Sequence, residues 1–306
     1  MKWNIIIILI ALCIVGTAIF CQQPEVVVAG NFQFILHEKN DPIAKELIQD
    51  IAELASEVQQ QFDMEWLKKI ATSVELVGAQ HDDQVVKRDL MSVPTWLAAY
   101  AIPGQDRIVI RYKNVGSYPY LDLRAVFKHE LTHIYLGHLL NMHHITVPKW
   151  FEEGLAMFIG KKWNWQDYYQ VAMGTIRTKQ IPLKNLEYSF PYEEYDVQIA
   201  YVESFSVVNY MAEQYGENFL TNLLKKLEQG ITFEKAVLAI TKKNVADIEQ
   251  DWNNDIFRYY KWIPIIASTT FLWILITALT LFIYWRRYKR NKLIYKKWED
   301  EEIFYN

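Results

Sequence analysis

From Trp262 to Trp285 the chain runs 24 residues without a charge. As a helix rising about 1.5 Å per residue, that length crosses the roughly 30 Å of hydrocarbon in a bilayer. No other stretch constrains the fold so severely, because a lone segment in lipid can satisfy its own backbone only as a helix. Trp262 and the pair Tyr284-Trp285 bracket the run as interfacial aromatics, and Arg286, Arg287, Lys289, Arg290, Lys292, Lys296 and Lys297 follow at once. The basic excess predicts a transmembrane helix over 262–285, a short cytoplasmic tail over 286–306, and the opposite side of the membrane for what precedes. A buried apolar hairpin is the alternative, and it has no need of a basic flank.

Residues 1–21 open with Met-Lys-Trp-Asn and continue from Ile5 to Phe20 as a nearly unbroken apolar run. Length and position predict a secretory signal peptide. The cleavage sequence is poor: Gly16-Thr17-Ala18 offers small residues, whereas Phe20 is bulky for a lipoprotein-type cut before Cys21. An uncleaved signal anchor and a lipidated Cys21 therefore stay open. The protein is single-pass if the leader is removed and two-pass if it is kept. Cys13 and Cys21 are its only cysteines, so the region between the apolar segments has neither disulfides nor thiol chemistry. A formal net charge of -4, with no basic patch before residue 286, excludes nucleic acid as a partner and leaves the bilayer as the first one implied.

The intervening 25–260 region is long enough for one catalytic domain. Its pattern is α+β. Val26 to Leu36 reads as one strand, Val74 to Val77 as a second and Arg107 to Tyr112 as a third. Asp41-Pro42 opens a helix carried on by Ile43, Leu47, Ile48, Ile51, Leu54, Ala55, Val58 and Phe62. Past Gly160 the chain reads as helical. Gly216 ends one helix, Gly230 and Asn244 punctuate the rest to Tyr260, and Leu223, Leu224, Leu227, Phe233, Val237 and Leu238 are expected in the core.

Candidate chemistry gathers in His129-Glu130-Leu131-Thr132-His133. Leu123, Val126, Phe127, Leu131 and Ile134 recur at three- and four-residue steps, which predicts a helix over 121–140. Residues four apart on a helix differ by only about 40°, so the imidazoles of His129 and His133 converge on one point. That point suits Zn²⁺, which takes neutral imidazole nitrogens at about 2.0–2.1 Å. Glu130 lies about 100° further round, within reach of a water beside the metal but poorly placed to be a ligand, and is the natural general base. Two ordinary hydrogen-bonded histidines beside a solvated glutamate are the bland alternative. Catalytic zinc commonly takes three protein ligands, so a carboxylate is sought in Trp150 to Ala156, beyond the turn-like stretch Asn141 to Pro148. His138, five residues past His133, points about 140° away, and His143 and His144 fall toward the connecting loop.

His-Glu-Leu-Thr-His followed by Trp150-Phe151-Glu152-Glu153-Gly154-Leu155-Ala156 resembles the gluzincins, the thermolysin-like and aminopeptidase-like zinc metallopeptidases, and most nearly their peptidase MA-like members. The resemblance implies a small mixed sheet, a metal helix and a C-terminal helical subdomain, with one zinc per chain held by His129, His133 and a glutamate on the next helix. Family spacing, about eighteen residues after the second His, selects Glu152. The local pattern Trp-Leu-x-Glu-Gly selects Glu153, the choice preferred because a loop gains a residue cheaply whereas a one-residue slip turns a helix by about 100°. Glu152 stays open as the competitor.

The same resemblance implies three further features. The strand beside the metal helix would pair with an extended substrate, a role that falls on Ile108, Val109 and Ile110, with an ordinary interior strand as the alternative. Tyr201, in Tyr201-Val202-Glu203-Ser204, would donate a hydrogen bond to a tetrahedral intermediate, or else pack two helices together. The substrate would be a peptide or protein, and Met64-Glu65-Trp66 lacks the glycine and asparagine with which aminopeptidase relatives grip a free N-terminus, which favours an endopeptidase. A catalytically silent binding or sensor protein and a zinc hydrolase of another bond are the alternatives from other classes.

Overall fold

The computed structural model describes residues 24–38, 42–78, 85, 94, 96–111, 114–116, 122–161, 181–191, 193–259 and 269–305. The expected leader over 1–21, the cap Asp41, Tyr112 and the first part of the expected span (262–268) lie outside the described residues. What is described is helix-rich, with one small sheet.

The stretch Val26 to Leu36 forms two strands where the alternation suggested one. β1 (Glu25–Ala29) and β2 (Phe32–Leu36) pair antiparallel, Ala29 opposite Phe32. Gly30 at φ 59° occupies the first place of the two-residue turn, a left-handed φ that glycine adopts without a Cβ penalty. A long β-rich run thus folds on itself at its one glycine. Phe32, Phe34 and Leu36 alternate into the core while Gln33 faces out. Helix α1 (Pro42–Phe62) follows, burying Ala44, Leu47, Ile51, Leu54, Ala55, Val58 and Phe62 on one stripe. Ile43, expected on that stripe, is exposed beside it.

α1 carries the chain to β3 (Thr72–Val77), parallel to β2, and β3 is parallel to β5 (Arg107–Arg111). β4 (Ala99–Ile102) pairs antiparallel with β5, giving the order β1-β2-β3-β5-β4. Sequence patterning missed β4, because four residues with two alanines carry too little alternation. β5 is consequently an interior strand, with β3 on one side and β4 on the other.

Beyond the sheet lie α2 (Leu123–His143) and α3 (Lys149–Gly160). Asp122 caps α2 by accepting the Arg124 N–H at 3.0 Å, and His144 closes it in the left-handed region. α4 (Glu194–Tyr215) ends at Gly216, as expected. α5 (Phe219–Glu228), α6 (Phe233–Thr241) and α7 (Val245–Tyr259) complete the helical part. Gly230 (φ 76°) follows α5, and Asn244 caps α7 in a reciprocal pair with Asp247. Leu223, Leu224, Leu227, Phe233 and Val237 are buried, but Leu238 is half exposed, one step off the inward stripe of α6.

α8 (Thr269–Tyr305) stands apart in composition. Thr269–Tyr295 has a mean hydropathy of 1.4 and none of its most apolar window is buried in the protein. By length and composition it is able to cross a membrane, the one such helix among the described residues. The helix continues unbroken through Arg286, Arg287, Lys289, Arg290 and Lys292, all exposed.

Candidate metal centre

α2 and α3 pack against each other, and α3 lies along α4. Gly154 makes the second approach that close: a Cβ there would stand 2.4 Å from the Ser204 carbonyl oxygen and 2.7 Å from Val208 Cγ2. Gly160 does the same toward α2, where a Cβ would meet the Ala125 carbonyl oxygen at 3.0 Å and His129 Cβ at 3.3 Å. These contacts set the rotation of α3 and decide which of two adjacent glutamates faces the histidines.

Glu153 does. Its Oε2 is 3.4 Å from His129 Nε2 and 3.4 Å from His133 Nε2, and the two nitrogens are 3.1 Å apart. All three residues are buried, and they are the one group among the described residues whose donor atoms could hold a metal ion. The atoms form a near-equilateral triangle. Ligands at about 2.0–2.1 Å around a tetrahedral ion are about 3.3 Å from one another, so the donors fit zinc without rearrangement. Glu153 Oε2 is also buried with no hydrogen-bond partner, an arrangement that costs free energy unless something positive occupies the triangle.

Glu152 is turned differently, with Oε1 3.1 Å from His133 Nδ1, the nitrogen facing away from the triangle. Lys149, which sequence reasoning passed over, reaches both glutamates: Nζ is 2.8 Å from Glu153 Oε1 and 3.1 Å from Glu152 Oε2. The available signal was its spacing, three and four residues ahead of the two carboxylates on one helix face. His138 bonds Asp106 instead, and His143 lies against Gly230; neither joins the cluster.

Glu130 is 4% exposed and accepts the backbone N–H of Ala101 on β4. Burial pushes its carboxyl up to about 7, against the pull of His133. Burial drives His129 down to about 4. His133 goes the other way, to about 10, because the charges of Glu153 and Glu152 outweigh its burial. His133 and Lys149 in turn hold Glu153 well below the usual carboxylate range despite its burial. Without an ion, a proton on His133 supplies the positive charge that the cluster demands.

A cleft of about 180 Å³ opens over these groups, lined also by Leu97, Ala99, Tyr100, Ala101, Pro103 and Tyr201. Tyr201, on α4, is partly exposed there and packs edge-on against Phe190 at 5.2 Å between ring centres. Ile108, Val109 and Ile110 do not reach the cleft: they are fully buried on β5, whose two sides are taken by β3 and β4. The expectation that they pair with substrate is therefore corrected. β4 is the strand at the cleft. Arg111 N–H donates to the Ala98 carbonyl at 2.8 Å, and by antiparallel alternation the polar groups of Ala99 and Ala101 turn away from β5, as the Ala101 bond to Glu130 requires.

A stretch of 109 residues is 25% identical to the uncharacterized protein YhcO of Bacillus subtilis (strain 168), covering 34% of this chain. The chain spans about a third (31%) of the length of that curated relative. The sequence pattern of the peptidase MA superfamily matches residues 80–258, more than half of the chain and all of the site from β4 to α7. The chain belongs to the peptidase MA superfamily.

Proposed function

We propose that this protein is a membrane-anchored zinc metallopeptidase that hydrolyses peptide bonds outside the cytoplasm, acting within polypeptides more than at free N-termini. The observation that carries the reading is the buried triangle of His129, His133 and Glu153, with an unpartnered carboxylate oxygen and with Glu130 beside it in an open cleft. One Zn²⁺ held there supplies Lewis acidity, which polarises a peptide carbonyl and makes water more acidic.

The chain's own residues do the rest. Glu130, buried beside the triangle and lining the cleft, takes a proton from the attacking water and passes it to the departing amine. Tyr201 donates a hydrogen bond to the oxygen on which negative charge develops. On β4 the outward backbone groups of Ala99 and the carbonyl of Ala101, whose N–H is held by Glu130, are offered to an extended substrate, the role that β5 cannot fill. In this reading residues 1–21 are a leader or anchor, 25–260 the extracytoplasmic catalytic domain, 262–285 a transmembrane helix and 286–306 a cytoplasmic tail.

The test is zinc content and peptide-library cleavage by the purified protein, wild type beside Glu130→Gln. One zinc in both with cleavage only by the wild type is the expected result. A well-folded wild type without zinc overturns the reading, and zinc-dependent hydrolysis of esters or other bonds without peptide cleavage moves the substrate class.

A further inference from the structure

Lys149 breaks a local rule. A cation in the first turn of a helix opposes the helix dipole, and this one is also partly withdrawn from water. Such violations concentrate where a site needs them. Its ammonium joins Glu153 Oε1 and Glu152 Oε2 at 2.8 and 3.1 Å. Glu152 Oε1 continues the chain to His133 Nδ1 at 3.1 Å, and His133 Nε2 returns to Glu153 Oε2 at 3.4 Å. Three hydrogen bonds and one longer charge contact, that of His133 Nε2 with Glu153 Oε2, thus join four side chains in a ring. Of Glu153's two oxygens, Lys149 occupies one; the other, buried and unpartnered, is turned to the histidines.

We infer that Lys149 and Glu152 are positioning residues for the metal centre. Lys149 holds Glu153 Oε1 aside so that a single oxygen is offered to the ion, and Glu152 accepts the Nδ1–H of His133 so that its Nε2 lone pair points inward. The inference rests on the proposed metal site and adds what sets its ligand number and charge. An Nδ1–H held by a carboxylate both orients an imidazole and makes it a better donor. A carboxylate tied to an ammonium through one oxygen binds as a one-oxygen ligand, which leaves a fourth tetrahedral position open for reaction. The ammonium also offsets the charge that Glu152 brings, so the centre stays a Lewis acid.

The experiment uses the full chain in detergent, with Lys149→Met, Lys149→Arg and Glu152→Gln beside the wild type. Zinc affinity is measured by competition with a chromogenic chelator. The coordination number is read from the visible absorption of bound Co²⁺, which is much stronger in four-coordinate than in five-coordinate sites. Lys149→Met and Glu152→Gln are each expected to weaken zinc binding about 10- to 100-fold. Lys149→Met should also lose Co²⁺ absorption intensity as the freed Oε1 becomes a second donor, and Lys149→Arg should restore both readouts. Wild-type affinity and spectrum in Lys149→Met overturn the inference while leaving the metal site intact. Weakened binding with an unchanged spectrum overturns it too, reducing Lys149 to a charge. No metal in the wild type refutes the underlying site instead. Near-ultraviolet circular dichroism of each metal-free variant identifies any that fails to fold, and Lys149→Arg then decides: weak binding in a folded Arg variant with the wild-type spectrum counts against the ring.

Discussion

Replacing Glu130 by Gln should make the metal-free protein more stable, although it removes the proposed general base. The buried carboxyl titrates at about 7 against 4.5 in an open chain, chiefly through burial. A difference of about 2.5 pH units, at about 1.4 kcal/mol each, is about 3–4 kcal/mol. The sign follows from where the proton sits. Below about pH 4.5 the carboxyl is protonated in both folded and unfolded chains and contributes nothing. Between about pH 4.5 and 7 the unfolded chain ionises while the folded one keeps its proton, so stability falls as pH rises, and above about 7 the full penalty is present. Gln stays neutral and still accepts the Ala101 N–H through its carbonyl oxygen. For a domain of this size, about 3–4 kcal/mol corresponds to roughly 6–16 °C in melting temperature. The assay is thermal unfolding of chelator-treated protein in detergent, wild type and Glu130→Gln, at pH 8.5 and pH 5. The variant should melt higher at pH 8.5, with the gap shrinking to under about 1 kcal/mol at pH 5. Equal melting at both values, or a less stable variant at pH 8.5, would refute the claim that burial of this carboxylate strains the fold.

Other substitutions separate the roles of neighbouring residues. Glu153→Gln should abolish stoichiometric zinc, whereas Glu152→Gln should still fill at saturating zinc; the reverse pattern, read by metal analysis after gel filtration, would exchange their roles. Gly154→Ala drives a Cβ into the Ser204 carbonyl and Val208 and should cost about 2 kcal/mol or more, with weakened zinc retention as α3 moves off α4. Melting temperature and metal content together report it, and an unchanged melt would show that the helices part easily. Tyr201→Phe should keep its zinc and lower kcat by about 100-fold, close to the effect of removing an oxyanion donor elsewhere. Full turnover with zinc bound would leave Tyr201 a packing residue.

The elements that could be read without coordinates are those whose geometry is local. A helix turns sequence spacing into position, so the convergence of His129 and His133 and the offset of Glu130 follow from residues four and one apart. The stripe of α1, the ends at Gly216 and Gly230 and the apolar length of the last helix are local in the same sense. Reading failed where the deciding contact is remote or the pattern brief. Gly30 divides a run that looked like one strand. β4 has four residues, and its place at the sheet edge is what puts Ile108 to Ile110 in the interior.

Adjacent glutamates give the sharpest division between the two sources. Sequence alone limits the proposed third donor to Glu152 or Glu153, because either spacing is acceptable to a flexible connection. Which one turns its oxygen to the histidines is settled by the rotation of α3, through the contacts of Gly154 with Ser204 and of Gly160 with Ala125. Lys149 has meaning only once that rotation is set, when its ammonium falls between the two carboxylates. Helical periodicity is written in neighbouring residues and survives in the bare sequence. The facing of one helix toward another depends on surfaces far apart in the chain, and only the packed structure brings them together.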